Sequence, residues 1–143
     1  MMTPTSRAVL LSLAFLAIAG CGIQHRQAAQ EFARTQPPEA WGAKPPEGHR
    51  SEEIAFIKSQ LKDPESARFN EVALQRVVIS ASKTDPAVVP VWESGILVNA
   101  RNSFGGYSGF RLWSFYYRNG TLFAVETEDA GRRYLAPTPA EAR

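Results

Sequence analysis

Hydrophobic and polar positions along the 143 residues change rhythm several times, and each change marks a boundary. The run from Ala8 to Ala19, A-V-L-L-S-L-A-F-L-A-I-A, is 12 residues long and almost wholly apolar. Crossing a hydrocarbon core of about 30 Å takes about 20 such residues, whereas the core of a signal peptide takes about 7–15, so this run predicts an export signal. A weak apolar stripe over Ile23, Ala28, Ala29, Phe32 and Ala33 predicts a short helix at 24–35. The stretch 36–48 then loses periodicity and carries four prolines between positions 37 and 46, which neither a helix nor a sheet interior accommodates. It predicts an extended, semi-rigid tether. Trp41 stands alone in it and docks either on its own domain or on a partner.

A second helix opens at Ser51, a good cap, with Glu52 and Glu53 in the first turn where acids complement the helix dipole. Ile54, Ile57 and Leu61 recur at helical spacing with Phe56 beside them. The helix ends near Lys62, because Pro64 restricts the residue before it, and Asp63-Pro64-Glu65-Ser66 predicts a fresh cap and a single turn. From Glu71 the period becomes two. Val72 to Ser80 reads as a strand with a phase slip near Gln75-Arg76 that predicts a bulge. Ala87 to Trp92, interrupted by Pro90, reads as a short edge strand, and Gly95 to Arg101 as a clearer one. Ser108 to Tyr117 and Thr121 to Thr127 follow, joined by Asn119-Gly120, a dipeptide suited to the two positive φ angles of a type I′ hairpin turn.

A two-residue loop sets the hairpin register: Arg118 opposite Thr121, Tyr116 opposite Phe123, Ser114 opposite Val125 and Leu112 opposite Thr127. The other face carries Trp113, Phe115, Tyr117, Leu122 and Ala124, so both faces are rich in apolar groups. A sheet covered on one side by a helix shows a polar outer face. The Trp113-Phe115-Tyr117 face is therefore either a covered layer of this domain or a partner surface, since large exposed apolar patches mark interaction sites. The whole pattern predicts an α+β fold: one main amphipathic helix packed on an antiparallel sheet of about four strands, over 51–137, with a disordered tail at 138–143.

Composition changes this picture little. Apolar residues make up 44% and charged residues 21%, which excludes a wholly disordered or multi-span membrane chain. The formal charge is +2 with no dense basic run, so nucleic acid is not an expected partner. The single cysteine changes more. Ile18-Ala19-Gly20-Cys21 follows the apolar run directly and resembles the lipobox of bacterial lipoproteins. The resemblance implies cleavage after Gly20, acylation of the Cys21 thiol and a bilayer anchor of two or three acyl chains, each buried methylene contributing about 0.8 kcal/mol. Gly22, where inner-membrane lipoproteins tend to carry Asp, implies an outer-membrane location facing the periplasm. With residues 21–50 as tether, the domain stands clear of the bilayer.

The segment Val98-Asn99-Ala100-Arg101-Asn102-Ser103-Phe104-Gly105-Gly106-Tyr107-Ser108-Gly109-Phe110 resembles the V-N-A-(K/R)-N-S-(F/Y)-G-G-Y-x-G-F pattern of a family of small uncharacterised bacterial and phage-associated proteins, several of them lipoproteins. Leu61 to Phe69 resembles that family's L-K-D-P-x-S-A-(K/R)-F segment. The resemblance implies a small α+β domain and no established activity. On its residues alone, Gly105-Gly106 permits a tight turn with positive φ, and Gly109 allows another backbone or a ligand to come close. No G-K-[ST] follows, so a phosphate cradle is not indicated.

Catalytic chemistry is sparse. His25 and His49 both fall in the tether and Cys21 is spent on the anchor, which removes the usual triad base and thiol nucleophile. Paired carboxylates remain, with Glu126 and Glu128 read on one strand face. The expectation is a non-enzymatic envelope lipoprotein without metal or cofactor, held to the bilayer through Cys21. It would bind an envelope protein or cell-wall polymer through Phe104, Gly105, Gly106, Tyr107, Gly109 and Trp113. The alternatives are a small envelope-polymer hydrolase using Glu126 and Glu128, and a prophage-type surface protein.

Overall fold

A computed structural model describes residues 31–85 and 87–135. The export signal, Cys21 and the 138–143 tail lie outside the described residues, as does most of the first expected helix, of which 31–35 is helical. Chain contacts separate residues up to Thr35 from a compact unit that begins at Gln36, inside the stretch read as tether.

That unit is α+β, with five strands in one antiparallel meander: β1 (Arg68–Ser80), β2 (Val88–Asn99), β3 (Arg111–Arg118), β4 (Thr121–Thr127) and β5 (Gly131–Tyr134). One helix, α1 (His49–Gln60), precedes the sheet, with 3₁₀ turns at Pro38–Trp41 and Pro64–Ser66. The two runs on either side of Trp92 are one continuous strand. Pro90 is tolerated because β2 pairs only with β1 there, its pairing to β3 beginning at Trp92. The bulge in β1 falls between Val72 and Gln75, where two residues face Ser94 alone. Its loosened carbonyls find a donor in Arg50, whose guanidinium bonds Val72 O and, at 2.8 Å, Gly95 O.

The Asn119-Gly120 turn has φ of 50° and 77°, and Arg118 pairs with Thr121 as the type I′ geometry requires. The register beyond it differs from the expected one. A bulge at Phe123 places Ala124 opposite Tyr116, Val125 opposite Phe115 and Glu126 opposite Ser114. Val125 therefore changes faces. β5 has no counterpart in the apolar pattern, because it is short and its middle is two arginines.

Each face of the sheet is covered differently. On one, α1 lies over Trp113, Phe115 and Tyr117. Phe56 meets the Trp113 and Phe115 rings edge-on at 6.3 and 6.0 Å, and Ile57 and Phe115 are fully buried. α1 starts at His49, two residues before the expected cap, because Gly48 at φ 85° turns the chain into it. This register puts Glu53 at the centre of the buried face, 2% exposed, rather than at an exposed first turn. Tyr117 Oη and Ser94 Oγ donate to its carboxylate at 2.9 and 2.8 Å, and Arg50 lies 3.5 Å away. Burial pushes the Glu53 carboxyl above its usual value despite those hydrogen bonds, and burial beside Glu53 pushes the Tyr117 phenol up.

The opposite face covers itself by curling. Ile79, Val91, Tyr116 and Ala124 form a buried cluster flanked by Val77, Val89, Phe123 and Tyr134, which draws on all five strands. Tyr134 Oη donates to Ser80 O at 2.8 Å although β5 and β1 are opposite edges of the sheet. The edges thus approach at one end, and the concave face needs no second layer.

Candidate functional site

The strands run between two poles. One holds the Asn119-Gly120 hairpin tip and the proline-rich segment; the other holds the Pro64–Ser66 turn and the long β2–β3 loop. Trp92 and Asn99, on β2, set the poles about 23 Å apart at about 3.3 Å per residue.

At the hairpin pole the segment read as tether is bound down. Trp41 is 3% exposed, with the Arg76 guanidinium 6.0 Å from its ring. Trp92 Nε1 donates to Gly42 O at 3.3 Å and Gly120 N to Ala43 O at 3.0 Å. Lys44 and Arg76 stand 5.3 and 5.0 Å from the Trp92 ring. Trp41 therefore docks on its own domain.

At the other pole the β2–β3 loop is built from asparagine side chains. Asn102 N donates to Gly106 O and Gly105 N to Asn102 O, at 2.9 and 3.0 Å. Asn102 Oδ1 accepts from Phe104 N and Gly106 N at 2.9 and 3.2 Å, and Asn99 Oδ1 from Gly109 N at 3.2 Å. Backbone groups that would otherwise need water are thus partnered within the loop, which fixes its tip. Gly105 supplies the positive φ of the turn, at 80°, and Gly109 adopts 97°. Among the described residues nothing approaches within 4 Å of where a side chain on Gly109 would start, so that glycine serves conformation and not close approach.

The loop is also tied sideways to the Pro64–Ser66 turn. Tyr107 Oη donates to Ser66 O at 3.1 Å, Arg101 N to Ser66 Oγ at 3.0 Å, and Lys62 Nζ to Ser103 Oγ at 2.6 Å. Between the two lies an open cleft of about 430 Å³ lined by Asp63, Glu65, Ser66, Ala67, Arg68, Arg101 and Tyr107. Held on this frame, Phe104 projects with 97% of its surface exposed, and Phe110 and Tyr107 beside it are 46% and 39% exposed.

Of the residues singled out in the sequence, Phe104, Gly105, Gly106, Tyr107 and Gly109 come together here. Trp113 does not. It is half-buried against Phe56 of α1, on the sheet face where Phe115 and Tyr117 are buried, and so stands apart from the loop. Arg68 and Arg101 were missed; they sit beside the motif's aromatic positions, but only the fold shows that they share a cleft.

Glu126 and Glu128, the two acids read as a pair, have different partners. β4 ends at Thr127, leaving Glu128 in the turn, 4.0 Å from Arg111, while Glu126 lies 2.6 Å from Arg132 Nη2 and accepts from Tyr116 Oη at 2.9 Å. The second acid on the concave face is Glu93, which accepts from Ser114 Oγ at 2.6 Å and Gln75 Nε2 at 2.7 Å. Burial, with Glu93 and Glu126 nearby, pushes the Tyr116 phenol up to about 12. For Arg132, burial opposes the charge but hydrogen bonds with Tyr134 and Glu126 outweigh it and raise its pKa. This cluster is internally partnered and reads as the polar end of the concave core. Among the described residues no three His, Cys, Asp or Glu side chains are grouped to hold a metal ion.

No protein-family model matches the chain, and neither the curated proteins nor the solved structures include a significant match.

Proposed function

We propose that this chain is a bacterial lipoprotein, anchored through acylated Cys21 and facing the periplasm from the outer membrane, whose α+β domain is a non-enzymatic binding module. Its contact surface is the β2–β3 loop, centred on Phe104. The observation that carries this reading is an aromatic side chain 97% exposed at the tip of a loop whose backbone is fixed by Asn99 and Asn102. Exposing a phenylalanine forgoes roughly 2 kcal/mol of burial, and a disordered tip could fold it back onto the domain; a pinned tip cannot. The anchor reading draws on the apolar run and the I-A-G-C sequence, and the resemblance of the loop motif to small phage-associated and bacterial proteins accords with it.

The chain enters the domain at the hairpin pole, where Trp41 is docked, and the loop occupies the opposite pole. A partner held by the loop would thus be met on the side away from chain entry, as suits another envelope protein or the cell-wall polymer. Photo-crosslinking in cells from position 104, with the exposed α1 position Ser59 as control, tests the surface. A discrete adduct at 104 that is absent at 59 is expected, and equal labelling at both contradicts the proposal. Metabolic labelling with a fatty acid tests the anchor: incorporation is expected in the wild type and lost in Cys21→Ala.

A further inference from the structure

The cleft beside the loop is lined by two arginines that share one aromatic ring and, among the described residues, pair with no acid. Arg68 and Arg101 come from different strand ends, yet both guanidiniums lie against one ring, 4.8 and 5.6 Å from the Tyr107 centroid. Among the described residues neither has a carboxylate within 4.0 Å, although the chain's other ion pairs include Arg50, Lys58, Arg111 and Arg132. The acids that share the cleft pair with neither arginine. Asp63 Oδ1 accepts from Ser66 N, and Glu65 pairs with Lys58 at 3.7 Å. A cation–π contact engages a guanidinium without consuming its N–H donors, so both forks remain free to bond an acceptor. Two like charges beside one ring repel each other, and an anion entering the cleft that both line relieves that repulsion.

We propose that Arg68, Tyr107 and Arg101 form an oxyanion-binding clamp that takes a carboxylate or phosphate group carried by the ligand of the β2–β3 loop. This rests on the reading of that loop as the contact surface and adds the chemistry of what it contacts. Phe104 supplies the apolar contact and the arginine pair the charge. Tyr107 is the positioning residue: its hydroxyl is bonded to Ser66 O, which fixes the ring against which both guanidiniums lie. Carboxylate and phosphate are both plentiful in a bacterial envelope, on peptide termini and on lipid headgroups, and a planar fork of N–H donors suits either.

The test is a titration of the full chain in detergent micelles, followed through the arginine Nε–H resonances. The three probes are inorganic phosphate, N-acetylglycine and its neutral amide. Saturable shifts confined to Arg68 and Arg101 are expected with phosphate, with N-acetylglycine or with both, and none with the amide. Phosphate alone would point to a phosphoryl source, N-acetylglycine alone to a carboxylate terminus. The double variant Arg68→Gln, Arg101→Gln should bind at least about tenfold more weakly with an unchanged thermal midpoint, and the corresponding double lysine variant should lie between it and the wild type. Shifts that do not saturate, or that spread equally over Arg76 and Arg118, overturn the clamp. If the 104 adduct forms but no anion binds, the clamp fails and the contact surface stands; if anions bind but no adduct forms, the contact surface fails and the clamp stands.

Discussion

At the hairpin pole Trp41 is 3% exposed beneath a run of prolines; at the opposite pole Phe104 is 97% exposed above a run of glycines. Both segments lack regular strand or α-helix, and both are fixed to the domain by hydrogen bonds from loop to loop. What differs is the use made of the aromatic side chain. The Pro38–Trp41 turn is held because its indole is buried, so there packing immobilises the backbone. The β2–β3 loop is held by Asn99, Asn102 and the ties to Ser66, so there polar bonds immobilise the backbone and the aromatic is left over. A loop held by polar bonds without burying its largest apolar group is what the proposed contact surface requires.

Substitutions can break this contrast. Trp41→Ala should have the largest effect on stability, about 3–5 kcal/mol in chemical denaturation, by emptying the site under the proline-rich segment. Gly42→Ala should act on the same pole, costing about 1–3 kcal/mol. Gly42 sits at φ 61°, ψ −164°, and its new Cβ would lie 2.0 Å from Asn119 Oδ1. A loss below about 0.5 kcal/mol for Trp41→Ala would mean that packing does not hold this pole.

Between the poles, Glu53→Ala should cost about 2–3 kcal/mol, because it leaves the Tyr117 and Ser94 hydroxyls buried without their acceptor. Its carboxyl is raised in the folded state, so the folded protein binds that proton more tightly than the unfolded chain. The stability this contributes is fully present below the usual carboxyl value of 4.5 and is lost as pH rises through the raised folded value. Denaturation midpoints of wild type and Glu53→Gln over that range measure it, and the variant should show the shallower fall.

At the loop pole the effects should be small on stability and large on contact. Tyr107→Phe removes the bond to Ser66 O and should cost about 1 kcal/mol, with faster amide exchange confined to the loop and the Pro64–Ser66 turn. Phe104→Ala should change stability by less than about 0.5 kcal/mol while weakening binding of whatever the loop contacts.

How much of this was legible in the sequence follows from the range of the interactions involved. The Asn119-Gly120 turn, the β1 bulge and the Gly105 turn were legible because each is set by a few neighbouring residues. The Phe123 bulge was not, since nothing in β4 itself marks a slip that β3 and the concave cluster decide. Glu53 looked like a first-turn acid because Ser51 is a better cap than Gly48, yet α1 starts at His49 and packs on the sheet with Glu53 facing Tyr117 and Ser94. Trp41 stood out as an indole in a linker, but its seat consists of Trp92, Arg76 and the hairpin tip, distant in the chain. The aromatic half of the candidate site was legible as a motif. Its basic half was not, because Arg68 and Arg101 meet only through β1 pairing with β2.

The most direct test of the account compares the poles in the intact envelope. In the chain bearing the proposed lipid on Cys21, a single cysteine is placed at Phe104 or at the exposed hairpin residue Arg118, and its alkylation rate is measured in envelopes and in the purified chain. The account predicts that position 104 reacts several-fold more slowly in envelopes than when purified, while position 118 reacts equally in both. Equal rates at 104 in the two settings, or slowing at 118 instead, would contradict it.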